Sequence, residues 1–143
     1  MKIVLRYILI SSLLVSALVS VQTYAAEKLK VVYHVSELEK VPFVLTNIKN
    51  HINGVGGAEN VEIVLVTHGP SAKAFHNDNV KEKVSSMVDE LQIEGVAFNM
   101  CGVTMGKLDY KLDDVLPGFV RRDEGGVVRI AELQSKGYLY IRP

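Results

Sequence analysis

Cysteine is almost missing from this chain: of 143 residues only Cys101 carries a thiol, so an internal disulfide is impossible by count. CxxC, HExxH and GxSxG are missing altogether, which removes the dithiol, zinc-hydrolase and serine-hydrolase signatures. The glycine-rich "GVGG" at 54–57 precedes a strand instead of following one, the wrong end of its unit to cradle a phosphate. Asp113 and Asp114 are adjacent, so on a helix they point apart and form no glycosidase-type pair. Charge of either sign is not in excess: sixteen Lys and Arg face sixteen Asp and Glu. Such a balance gives no reason to expect nucleic acid or an anionic membrane as partner. There is no internal repeat, low-complexity tract or inter-domain linker.

A spanning hydrophobic segment is lacking too. Lys2 and Arg6 precede the apolar run "YILISSLLVSALVSV", which is shorter than the roughly 18 residues a spanning helix needs. Thr23 and Ala25 then stand at the minus-three and minus-one positions of a cut. This is the layout of a secretory signal peptide over 1–25, removed to leave a single domain at 26–143. With Lys2 and Arg6 gone, fourteen basic residues face sixteen acidic ones, a net of −2. No cysteine near the cut allows a lipid anchor, so the mature form is expected in the periplasm without a membrane attachment. In that oxidising compartment a solitary thiol is a buried small hydrophobe, an intermolecular partner or a reactive group.

What is present alternates regularly. "LKVVYHV" (29–35) and "VEIVLVTHG" (61–69) are apolar at both parities, as strands covered on both faces are. "VPFVLTNIKNHINGVGG" spaces Phe43, Val44, Ile48 and Ile52 helically, and "VKEKVSSMVDELQIEG" does the same with Val80, Val84, Met87 or Val88, and Leu91. "VAFNMC" reads as a third strand. "KLDYKLDDVLPGF" suggests a helix with Leu108, Leu112, Val115 and Phe119 at helical spacing, broken or ended at Pro117 and Gly118, and "RRDEGG" a solvated turn. "GGVVRIAELQSKG" is expected to turn Val127, Ile130 or Ala131, and Leu133 inward, and "YLYIRP" to close the chain as a fourth strand. Alternating strands and helices of this kind predict an α/β fold, a three-layer α/β/α sandwich on a mainly parallel sheet.

In such sheets ligands bind outside the carboxyl ends of the strands. The first three strands end at His34, His68 and Cys101, so three of the chain's five imidazole or thiol groups map to one edge. Gly102 lets the backbone turn directly after the thiol, and a following helix or an imidazolium would lower its pKa. His51 is expected on the solvent side of the first helix, and His76 in a loop that could fold over the edge. Met100 and Met105 flank the cysteine and are expected to pack.

The strand ending in "VTHGPSAKAF", the amphipathic helix closing at Gly95 and the strand running into "FNMCGVTM" together resemble the DsrE/DsrF-like family, whose fold is also called YchN-like. The similarity extends from Leu29 to Pro143. Val103 departs from it, standing where many relatives have asparagine. The resemblance implies sulfur relay, with a persulfide on Cys101, rather than a turnover enzyme. It also implies a homo-oligomer, trimer or hexamer, and a donor or acceptor that is a protein or a small sulfur compound. His68 matches a histidine often seen after the second strand and is expected to tune the thiol. No cofactor is implied. Two other readings are open: copper or zinc held by His34, His68 and Cys101, with Met105 as a further soft ligand, and a non-catalytic oligomeric binding module with an inert cysteine.

Overall fold

The computed structural model describes residues 28–143; the signal-peptide reading of 1–25 lies outside the described residues. Five strands form one sheet: β1 (Leu29–Val35), β2 (Val61–Thr67), β3 (Ala97–Cys101), β4 (Phe119–Arg122) and β5 (Leu139–Ile141). Their order is β4-β3-β2-β1-β5, and every neighbouring pair is parallel. Among the described residues four α-helices accompany them: α1 (Val41–Gly54), α2 (Glu82–Ile93), α3 (Gly102–Leu108) and α4 (Gly126–Ser135). The expected three-layer α/β/α sandwich is therefore present.

The strand order explains why the layers are unequal. From β1 to β4 the chain moves one way across the sheet, and for β5 it returns to the far side of β1. Crossovers of constant hand place their helices on opposite faces when the direction reverses. On one face Val31, Tyr33, Val35, Ile63, Leu65, Phe98, Met100 and Phe119 pack with the buried sides of α1 and α2 in one large core. On the other face α4 alone contributes Ile130 and Leu133, against Val32, Val64 and Val66. Met100 and Met105 both belong to the large core, as packing residues.

Four expectations need correction. The helix over 108–119 does not form: α3 stops at Leu108, and Asp109 takes a left-handed φ of 55° while the Tyr110 N–H returns to the Met105 carbonyl at 2.9 Å. Pro117 and Gly118 cannot continue a helix, and Leu116 N–H bonds to the Phe75 carbonyl at 2.9 Å. Leu112 is consequently exposed. Phe119 instead opens β4, an extra strand that takes in the Arg121 and Arg122 of the expected turn, and packs on Phe75 and Phe98 with ring centres 4.9 and 5.2 Å apart. Phe43 is exposed beneath the Lys40 amine, and Leu45 is buried on α1 in its place. Val127 points outward, because Gly126 lies against β3 and sets the inward face of α4 at Gly126, Ile130 and Leu133.

Candidate functional site

The parallel register brings the strand ends together from local rules. Thr67 pairs with Met100, so His68 and Cys101, one residue further on, lie side by side on the α4 face of the sheet. His34 pairs with Val66 and faces the same way. The start of α4 passes over them: a Cβ on Gly126 would lie 3.3 Å from both the Cys101 and the His68 Cβ atoms. Those contacts are tight, so glycine at 126 is what lets the helix come down onto the thiol. Gly102 has a similar duty, since a Cβ there would meet the Arg122 carbonyl oxygen at 2.8 Å.

Cys101 is 6 % exposed, and burial by itself would push its pKa up. The net direction is down. Against the burial stand hydrogen bonds from the Thr104 hydroxyl and from the backbone N–H groups of Gly126, Thr104 and Val103, all of which favour the thiolate. Thr104 Oγ1 also accepts the Gly69 N–H at 2.9 Å, which turns its own proton toward the sulfur. Val103 acts through its backbone N–H, which any residue can supply, so its departure from asparagine leaves that donor in place.

His68 gives no hydrogen bond to the thiol. Its Nε2 is 2.7 Å from His34 Nε2, and His34 Nδ1 is 2.7 Å from the Tyr140 hydroxyl. With 4.7 Å between ring centres, the two imidazoles meet edge to edge, one donating and one accepting. Burial first, then His68 and Arg142, lower the His34 pKa to about 4; burial and Arg142 lower that of His68. Both rings are therefore neutral at pH 7. His68 lines the cavity, with His34 behind it, and stabilisation of the thiolate is left to the donors around the sulfur.

In front of the thiol lies a cavity of about 560 Å³. Lys73 and Lys107 bring two positive charges to it, Glu124 one negative charge, and Val103, Val127 and Val128 an apolar rim. The loop that carries Lys73 is held down by Ser71, whose N–H donates to the Ser36 carbonyl at 3.0 Å and whose hydroxyl donates to the His68 carbonyl at 2.8 Å.

The proposed metal set does not assemble. Two imidazole nitrogens on one tetrahedral zinc stand roughly 3.3 Å apart with both lone pairs aimed at the ion; here they share a proton at 2.7 Å. Among the described residues no three His, Cys, Asp or Glu side chains group as ligands. His51 is half-buried and bonds the Tyr33 hydroxyl at 2.9 Å, a structural duty where a solvent-facing ring was expected. His76 is not part of the cavity; its ring lies 4.4 Å from that of Tyr110 at a 49° tilt, and its Nδ1 accepts the Asp78 N–H at 3.2 Å. Sequence reasoning missed Thr104, Gly126, Lys73 and Lys107. Of these only Thr104 left a signal: a hydroxyl three residues after a strand-end cysteine is at the spacing that reaches back over a helix start.

Comparison with known proteins bears on the fold. No family model matches the chain, and no curated protein matches it. A solved structure does: a protein of unknown function, MTH1491, from Methanobacterium thermoautotrophicum is 28% identical, with a TM-score of 0.72 over 81% of this chain and 100% of that one. The α/β fold is shared with it.

Proposed function

We propose that this protein accepts sulfane sulfur as a persulfide on Cys101 and passes it on, as a relay rather than a turnover enzyme. The observation that carries the reading is a buried thiol whose charged form receives a side-chain and three backbone hydrogen bonds at the floor of an open cavity. An inert core cysteine has no need of such donors. The Cys101 thiolate attacks the terminal sulfur of a donor R–S–S⁻; the donor S–S bond breaks, R–S⁻ leaves, and the new S–S bond forms on Cys101. Two thiol-level sulfurs exchange one sulfane sulfur, so no outside oxidant or reductant is required. An acceptor thiolate reverses the step. With no second cysteine in the chain, the persulfide cannot collapse into an internal disulfide.

Lys73 and Lys107 favour anionic donors in the cavity, and burial slows oxidation of the thiol to sulfenic and higher acids. The resemblance of "FNMCGVTM" to the DsrE/DsrF-like family supports the same reading, as does its placement at the end of β3. The leader-like residues 1–25 point to a periplasmic site of action. The exposed Val103, Val127 and Val128 at the cavity rim support assembly as a trimer or hexamer, in which a neighbouring copy would shield the persulfide.

Incubation with polysulfide or a small persulfide, followed by intact-mass measurement, tests the reading. A single added sulfur atom is expected, removed by reductant and lost in Cys101→Ser. Absence of the adduct in wild type, or its persistence in Cys101→Ser, rejects it.

A further inference from the structure

One turn along α4 from the cavity, a second polar cluster has no part in the chemistry of Cys101. Asn99 lies two residues before Cys101 on the same face of β3 and is 1 % exposed. Its Oδ1 accepts two hydrogen bonds at once, from Arg122 Nε at 2.8 Å and from Arg129 Nε at 2.9 Å. Two guanidinium groups are thereby held against one neutral oxygen. Glu132, 3.2 Å from Arg129 Nη1, supplies one negative charge. Arg121, next along β4, is taken by Asp123 at 2.6 Å. Among the described residues Arg122 has no carboxylate partner.

That arrangement is electrostatically incomplete. Like charges this close repel, and the half-buried setting screens them less than open water would. A structure needing only to fill the space could do so with apolar residues at less cost. Because Nε of each arginine is committed to Asn99, the Nη groups of Arg122 and one Nη of Arg129 remain to donate elsewhere. Guanidinium edges of this kind match the spacing of oxygens in carboxylates and in sulfate or phosphate. The cluster is reachable: Val120, paired with Asn99 in the sheet, is 46 % exposed, and α4 leaves this edge of the face uncovered.

We propose that Arg122 and Arg129, mounted on Asn99, bind an oxyanion group at the β4 edge, separate from the Cys101 cavity. Its two sources are a free tetrahedral anion or a carboxylate borne by a larger ligand, and sulfate and acetate serve as probes of each. The site does not depend on the persulfide reading and can fail or hold independently of it.

The test is calorimetric titration of the purified protein with sulfate and with acetate at constant ionic strength. Saturable one-to-one binding of either probe is expected. Asn99→Asp keeps the size of the side chain and places a countercharge between the two arginines, so it should weaken binding about tenfold, as loss of one charge-assisted contact does. Arg122→Gln should do the same, whereas a Lys73→Gln, Lys107→Gln double variant should bind as wild type does. No saturable binding of either probe to wild type, undiminished binding in Asn99→Asp and Arg122→Gln, or loss of binding in the lysine variant would each overturn the proposal.

Discussion

The two faces of the sheet are built from the same strands and do different work. Odd-numbered positions of β1 and β2 (Val31, Tyr33, Val35, Ile63, Leu65) and even-numbered ones of β3 (Phe98, Met100) enter one continuous apolar core under α1 and α2. The alternate positions reach the α4 face, where a small apolar cluster gives way to His34, His68, Asn99 and Cys101. A strand cannot place a polar residue on one face without its neighbours turning to the other. Stability is therefore concentrated under two helices, and reactive and charged groups collect under one, where backbone donors from α3 and α4 can reach them.

The largest effect that separates the faces is on the core side. Phe98→Ala removes a ring packed against Phe119 and should cost about 3–5 kcal/mol of unfolding free energy. Cys101→Ser on the opposite face should stay within about 1 kcal/mol while abolishing sulfur loading. Chemical denaturation of both variants beside wild type checks this. Comparable destabilisation by the two would mean that the α4 face carries as much of the fold as the core face.

The same division explains what could be read from the sequence. β1, β2 and β3 were legible because burial on both faces leaves nearly continuous apolar runs, those of β2 and β3 flanked by glycine. The meeting of His34, His68 and Cys101 followed from parallel pairing alone. β4 was not legible: "FVRR" is a short edge strand, with only Phe119 buried, and its arginines look like a turn until Asn99 is placed opposite them. The inward face of α4 also escaped periodicity, because Gly126 and not Val127 touches β3, a contact decided by the room above Cys101 and His68. Donors to the thiol come from residues 103, 104 and 126, and the last of these is joined to it only by the fold.

Next in size is the response to acid, which the α4 face alone should dominate. Burial, helped by His68 and Arg142, holds the His34 pKa near 4 against an ordinary 6.5, with Glu37 opposing weakly. The unfolded chain takes up a proton at this residue as pH falls through 6.5, and the native state refuses it until about pH 4. Between those values the unfolded state binds more protons, so stability falls with falling pH and levels off below about 4. His68, lowered mainly by burial, acts in the same direction. Melting temperature should drop by roughly 10 °C from pH 7 to pH 4 on this account. In His34→Gln the slope over that window should flatten; an unchanged slope would assign the acid sensitivity to other groups.

The smallest effect is the most local. Thr104 Oγ1 takes the Gly69 N–H and gives its own proton to Cys101, so Thr104→Val removes a thiolate donor and leaves a backbone N–H without its partner. The thiol pKa should rise, and alkylation at pH 7 should slow by about five- to tenfold, the worth of one charge-assisted hydrogen bond at a site that keeps its backbone donors. Stability should fall by about 1 kcal/mol through the stranded Gly69 N–H. Thr104→Ser keeps the hydroxyl and should restore most of the rate, which a purely packing role for the threonine methyl would not allow. The pH dependence of alkylation distinguishes the two explanations: loss of the donor moves the profile to higher pH, whereas a blocked cavity lowers the rate at every pH alike.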